Sequence, residues 1–147
     1  MYPEHKGKGK SSWEAVKRAV GYLNKKRKDV ILLPELEGTT KDEVSADALI
    51  LFNGKPSTAD FKCPISYNWN SLQNAFEHGF KQAETIILYA DGVKMDTGLL
   101  NETINYLLRN KKNIGNLLII NEYGKILEVG RSEILRGKFG KKIKGFL

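Results

Sequence analysis

Asn53-Gly54 constrains the fold of this chain more than any other pair of residues. A two-residue type I′ turn needs φ > 0 at both central positions, and Asn-Gly meets that demand best. With these residues as the turn, Phe52 faces Lys55, and counting outward along an antiparallel ladder sets Asp47 opposite Asp60. Directly opposed residues have Cβ atoms about 4.5–5.5 Å apart, close enough for two carboxylates to repel. Strand side chains alternate, so Lys62 projects from the same face as Asp60. Two facing acids with a lysine beside them make a poor structural pair and a good divalent-metal site. That chemistry points to phosphodiester cleavage.

The rest of the hairpin agrees with this register. Ala48, Ile50 and Phe52 point one way and meet Ala59 and Phe61, while Leu49 and Leu51 share the face of Asp47. Both faces are largely apolar, so the hairpin is expected at the centre of a sheet with helices on both sides. Carboxylates buried there need a metal, a cation or a proton to be tolerable.

Along the chain, residues 1–10 alternate Lys and Gly and read as a flexible basic N-terminus. Ser11 or Ser12 caps a helix on which Trp13, Val16, Val20 and Leu23 recur at helical spacing, ending in Lys25-Lys26-Arg27-Lys28. Val30–Leu33 reads as a short buried strand stopped by Pro34, and an acidic loop over 35–43 leads into the hairpin. A second helix begins at Asn68 or Asn70 and runs to Gln82, with Leu72, Ala75, Phe76 and Phe80 inward and Gly79 weakening it. Thr85–Tyr89 and Leu117–Ile120 are strands of buried type, a helix spans Leu99–Leu108, and Ile126–Val129 pairs beside the last buried strand. The order implies an α/β fold with a mixed central sheet flanked by helices, its helical crossovers joining parallel neighbours. The domain is expected over residues 11–137, with 138–147 a basic C-terminal tail.

Charge is unevenly spread. The net charge is +7, with a balance of +7 over residues 1–28, −5 over 29–130 and +5 over 131–147. An acidic centre between basic ends suits a protein that grips a polyphosphate with its ends and holds metal at its centre; a solvated surface with basic tails is the competing reading. No long apolar run marks a membrane span, and the start MYPEHKGKGKSSW lacks the apolar core of a signal peptide. Cys63 is the single cysteine and alternates to the face away from Lys62, while His5 and His78 stand apart. Neither thiol nor imidazole chemistry is supported.

These residues resemble the PD-(D/E)XK nuclease superfamily: an N-terminal helix, an Asp in one central strand, and Asp-x-Lys in the next, followed by a helix. More narrowly, LLPE in the first strand, Asp47 with Ala48, Asp60-Phe61-Lys62 before Pro64, and Lys81-Gln82-Ala83 before Ile86-Ile87-Leu88 look like one subgroup. It comprises the C-terminal tRNA nuclease toxin domains of contact-dependent growth-inhibition proteins and related domains attached to phage head-morphogenesis proteins. The resemblance spans Trp13 to Val129; the superfamily's Pro-Asp pair is absent, since Ala46 precedes Asp47. It implies Asp47, Asp60 and Glu14 as metal ligands, with the Phe61 carbonyl as a further donor. It implies Lys62 as the residue that assists water or balances phosphate charge, and Gln82 as a polar residue aimed back at the site.

The competing readings differ by residue. Glu14 serves equally as a first-turn acid facing the helix dipole, Glu35 and Glu37 read first as a solvated loop and otherwise as its substitutes as ligand, and Gln82 serves equally as a capping or core-edge amide. Tyr67 and Trp69, in the loop after Lys62, are expected to stack on bases, with packing the competing reading. Lys25, Lys26, Arg27 and Lys28 are expected to face phosphates, with a solubilising helix end the competing one. The implied function is a metal-dependent ribonuclease toxin acting on tRNA with Mg²⁺, or with Mn²⁺ or Zn²⁺. It acts in the target-cell cytoplasm as the C-terminal part of a larger secreted or phage-associated protein, and a cognate immunity protein opposes it. A DNA nuclease of the same fold and a noncatalytic nucleic-acid-binding module are the alternatives.

Overall fold

The computed structural model describes residues 13–33 and 46–146. The expected flexible start, the Ser11 or Ser12 cap and the acidic loop with Glu35 and Glu37 lie outside the described residues. Helix α1 (Trp13–Lys25) leads to strand β1 (Val30–Leu32), and the hairpin follows as β2 (Ala48–Phe52) and β3 (Lys55–Lys62). Then come α2 (Trp69–Gln82), β4 (Thr85–Tyr89), α3 (Thr97–Arg109), β5 (Asn116–Ile120) and β6 (Ile126–Val129). Two short helices, α4 (Arg131–Leu135) and α5 (Phe139–Lys144), complete the order.

One six-stranded mixed sheet runs β1-β2-β3-β4-β5-β6. The two helical crossovers join parallel neighbours, β3 with β4 and β4 with β5, while the other pairs are antiparallel. Asn53 and Gly54 both have positive φ (49° and 79°), as the type I′ turn requires, and Phe52 pairs with Lys55. Alternation then divides the core in two. Ala48, Ile50, Phe52, Ala59, Phe61, Ile87, Tyr89, Leu118 and Ile120 pack with Val16, Ala19 and Leu23 of α1. Ile86, Leu88, Leu117 and Ile119 face the other way, onto Leu72 and Phe76 of α2, Leu100, Ile104 and Leu107 of α3, and Ile143 of α5. Helix α2 starts at Asn68, whose side chain accepts the Ser71 N–H, and α3 starts at Asp96.

Three expectations are corrected here. The strand at Val30 is an edge strand rather than a buried one, and β2 is covered on one face only: Ile31, Leu49 and Leu51 are exposed on the other. Residues 138–146 are not a free tail, because Phe139, Ile143 and Phe146 are buried against α3 and β6. No helix of the described residues is long and apolar enough to cross a membrane.

Candidate active site

The hairpin brings Asp47 and Asp60 face to face. Asp47 sits one residue before β2, whose pairing with β3 ends at Ala48 and Ala59. It donates its N–H to the Ala59 carbonyl (3.0 Å), one residue off the expected register, and its carbonyl accepts the Leu33 N–H (2.8 Å). Its Oδ2 also accepts the Phe61 N–H at 3.0 Å, which turns the carboxylate across the strand pair toward Asp60. Asp60 pairs in register with Ile86 of β4, so its side chain lies on the α2 face of the sheet. It is 2% exposed. Two residues on, Lys62 is 8% exposed, and its Nζ lies 3.0 Å from Asp60 Oδ2. That approach is an ion pair without hydrogen-bond alignment, and Oδ2 has no hydrogen-bond partner among the described residues.

Electrostatics follows from this packing. Burial pushes the Asp60 carboxyl up to about 7, and a hydrogen bond shared with the Asp47 carboxyl adds to the rise, while Lys62 pulls it down. The cation does not offset burial and a second acid together. Asp60 is therefore poised between its protonated and ionised forms near neutral pH, as a group awaiting further positive charge would be. Asp47 and Asp60 are the oxygen donors that a divalent cation would use here. Among the described residues there is no cluster of three or more acidic, His or Cys side chains.

Gly79 makes room for Ile86, beside Lys62. A Cβ at that position would stand 2.7 Å from Ile86 Cγ1 and Cδ1 and 3.4 Å from Lys62 Cε. Helix α2 thus rides directly on β3 and β4, and the aliphatic stem of Lys62 lies against it. Sequence reading treated Gly79 only as a weakness in the helix.

Other expected residues are placed differently. Glu14 lies on α1, which covers the opposite face of the sheet, and it pairs with Lys17 at 3.3 Å in solvent. The structure does not bring it to the acid pair. Gln82 ends α2 on the same side of the sheet as Asp60 and lines a cleft with Thr58, the residue two before Asp60 on β3. Trp69 stands edge-on to Tyr106, 5.2 Å between ring centres, and Tyr67 packs on the α2–α3 core with its hydroxyl buried. Burial raises the Tyr67 phenol above its ordinary range. Both rings are engaged in packing.

The basic turn Lys25–Lys28 lies at β6, where Lys28 pairs with Glu128. Lys142 of α5 donates to the Glu128 carbonyl at 3.3 Å, so the basic segments from both ends of the chain meet on this strand. Sequence reading missed the cleft residues Lys112 and Arg131, which come from separate loops and helix starts. No periodicity connects them; the parallel β4–β5 pairing places the loop of Lys112 beside the end of α2, and the antiparallel β5–β6 pairing returns Arg131 to it.

Residues 45–126 match the family described as the contact-dependent growth inhibition CdiA C-terminal domain. That is more than half of the chain and includes Asp47, Asp60, Lys62 and Gln82, and the chain belongs to this family of toxin domains. The fold is similar to that of a chain in a CdiA-CT/CdiI toxin and immunity complex from Burkholderia pseudomallei, with a TM-score of 0.57 at 18% identity. The likeness covers 88% of this chain and 97% of that one. No curated protein matches the sequence.

Proposed function

We propose that this CdiA C-terminal domain is a metal-dependent endonuclease with a PD-(D/E)XK-type core that hydrolyses RNA phosphodiesters, its substrate being tRNA. The observation that carries this reading is the Asp47–Asp60 pair, with Asp60 and Lys62 buried on the same face. A structural ion pair needs one acid for one lysine; beyond accepting the Phe61 N–H, the second carboxyl only makes the charged form of the first less favourable.

The donor set fits a hard divalent ion. Mg²⁺ takes oxygen ligands at near-octahedral geometry and is commonly held by one or two carboxylates, with water and substrate phosphate completing the shell. Asp47 and Asp60 would supply those carboxylates, and Asp60 Oδ2, ion-paired with Lys62 but accepting no hydrogen bond among the described residues, has a lone pair to give. Mn²⁺ suits the same oxygens, whereas Zn²⁺ draws more on His and Cys. When bound, such an ion supplies Lewis acidity toward a phosphoryl oxygen and makes water a stronger nucleophile. Lys62 keeps its ammonium beside the carboxylates, ready to orient water or to balance charge growing on the phosphoryl oxygens. Its stem, held against α2 at Gly79, fixes that position. Gln82, at the end of α2, lines the neighbouring cleft with Thr58.

The choice of RNA rests on the resemblance to tRNA nuclease toxin domains. The complex in which a similar fold was solved supports a cognate immunity protein as partner. Family membership supports delivery into the target cell's cytoplasm as the C-terminal part of a larger secreted protein.

Incubation with total RNA, purified tRNA and plasmid DNA, with and without EDTA and followed by end mapping, tests the proposal. Chelator-sensitive cleavage of tRNA is expected. Cleavage of DNA alone assigns a DNA nuclease of the same fold, and binding without cleavage assigns a noncatalytic module. Cleavage that persists in EDTA with 2′,3′-cyclic phosphate ends assigns general acid–base chemistry at the ribose and overturns the metal reading.

A further inference from the structure

The acid pair by itself repels a polyphosphate, so cations elsewhere must hold the substrate beside it. A cleft of about 560 Å³ opens where α2 ends and β4 and β5 begin. Its rim carries Lys81, Lys112 and Arg131 against one acid, Glu84. Lys81 is exposed in the last turn of α2. Lys112 is exposed and only loosely paired with Glu77, at 3.6 Å. Arg131 is anchored by its Nε, which donates to the Ile114 carbonyl at 2.9 Å, and this fixes the guanidinium at the cleft wall.

The chain is shaped to bring these groups together. A Cβ on Gly115 would lie 2.1 Å from the Glu84 carbonyl oxygen, so a glycine is needed for β5 to start tight against β4. Asn116 N–H then donates to that same carbonyl at 2.8 Å, and Glu84 N–H donates to Thr58 Oγ1 at 3.0 Å. These contacts set the loop carrying Lys112 across from Lys81 and tie both to β3.

The acid pair lies outside the lining of the cleft, one step along each of two elements that form its walls. On the strand side, Thr58 and Asp60 share a face two residues apart, about 7 Å along β3. On the helix side, Gly79 lies against Lys62, and Gln82, three residues later, lines the cleft.

We propose that this cleft is a nucleic-acid backbone site, in which Lys81, Lys112 and Arg131 hold the phosphates that flank the phosphodiester presented to Asp47 and Asp60. This inference rests on the nuclease reading for the event at the acid pair, and on the cleft's own charge and position for binding. Its ligand class is single-stranded RNA, as in a loop or an end, because a duplex offers no separate strand to enter a cleft of this volume.

The test measures binding apart from cleavage. A short labelled single-stranded RNA is titrated in EDTA at several salt concentrations, with the wild type, with Lys81→Gln/Lys112→Gln, and with Lys25, Lys26, Arg27 and Lys28 all changed to Gln. Circular dichroism confirms the fold of each. The double variant is expected to bind more weakly, with its log–log salt slope reduced by about 1.4 for two lost contacts at ~0.7 each. Wild-type affinity and slope in the double variant overturn the cleft, and a loss confined to the Lys25–Lys28 variant moves the RNA path to β6. Cleavage by the wild type with Mg²⁺ is scored separately. No cleavage together with weakened binding in the double variant sinks the nuclease reading and leaves the cleft standing; cleavage with unchanged binding does the opposite.

Discussion

Lys62 Nζ stands 3.0 Å from Asp60 Oδ2, and both side chains are nearly closed to solvent. Read as a salt bridge, this pair is complete, and Asp47 beside it is surplus. Read as half of a metal site, Asp47 supplies the second ligand and Lys62 the charge that phosphate chemistry needs.

Asp60→Ala and Lys62→Ala are each expected to lower RNA cleavage by at least about 100-fold while leaving a folded protein, since each removes a group acting on the transition state. Rates on tRNA at matched purity, with circular dichroism as the folding control, check this. Wild-type cleavage by Asp60→Ala would end the assignment of the site. Lys62→Met keeps the stem against Gly79 without the charge, and it should be as inactive as Lys62→Ala but more stable.

Stability should depend on pH through Asp60. Its native pKa is raised to about 7 by burial and by Asp47. The unfolded value is about 3.9, so the native state holds the extra proton between these limits. The stabilisation is therefore full below about pH 4 and is lost as pH rises through about 7. At pH above ~7 the metal-free Asp60→Asn variant should melt a few degrees higher than wild type, with the gap closing in acid. Mg²⁺ or Mn²⁺ should raise the wild-type melting temperature at the higher pH, and the variant much less. A destabilised Asp60→Asn protein, indifferent to metal like the wild type, identifies the pair as purely structural.

Gly79→Ala separates helix propensity from packing. In an exposed helix this change gains about 1 kcal/mol. Here the new methyl meets Ile86, fully buried and unable to move aside, and presses on Lys62 Cε. Overpacking of this kind costs about 1–3 kcal/mol, so the net expectation is a lower melting temperature together with slower cleavage. Ile86→Val in the same chain removes Cδ1, one of the two atoms in closest conflict, and should recover part of both. A Gly79→Ala protein more stable than wild type would show that α2 has room to rise off the sheet.

What the sequence revealed of this arrangement was local. Asn53-Gly54 set the hairpin register by itself, because a turn that demands two positive φ angles leaves no freedom to the strands it joins. The continuous apolar runs at Thr85–Tyr89 and Leu117–Ile120 declared buried parallel strands. Glu14 could not be placed from its spacing, since which face of the sheet α1 covers is a matter of topology. The exposure of Leu49 and Leu51 was hidden for the same reason: apolar side chains on both faces of β2 suggested two covering layers, and the helices α2, α3 and α5 take the β3–β6 side. The cleft cations lay on three segments that only the completed sheet assembles.

The end of the chain gives the last prediction. Its composition, rich in Lys and Gly, argues for a solvated tail, yet Phe139, Ile143 and Phe146 recur at intervals of four and three and share one helical face. All three are buried, against α3, β6 and the rest of that core. Each apolar side chain so buried contributes about 1.5–3 kcal/mol, and together they approach the whole stability of an ordinary domain. Truncation after Gly137 should therefore abolish the cooperative melting transition, or lower it by tens of degrees, and expose apolar surface that binds ANS. The lysines of the same segment should matter far less to folding. Lys141→Gln/Lys144→Gln changes two exposed side chains and is expected to melt within a few degrees of wild type. If the truncated chain melts like the intact one, the three apolar residues add nothing to the core and residues 138–146 act as the tail that their charge suggests.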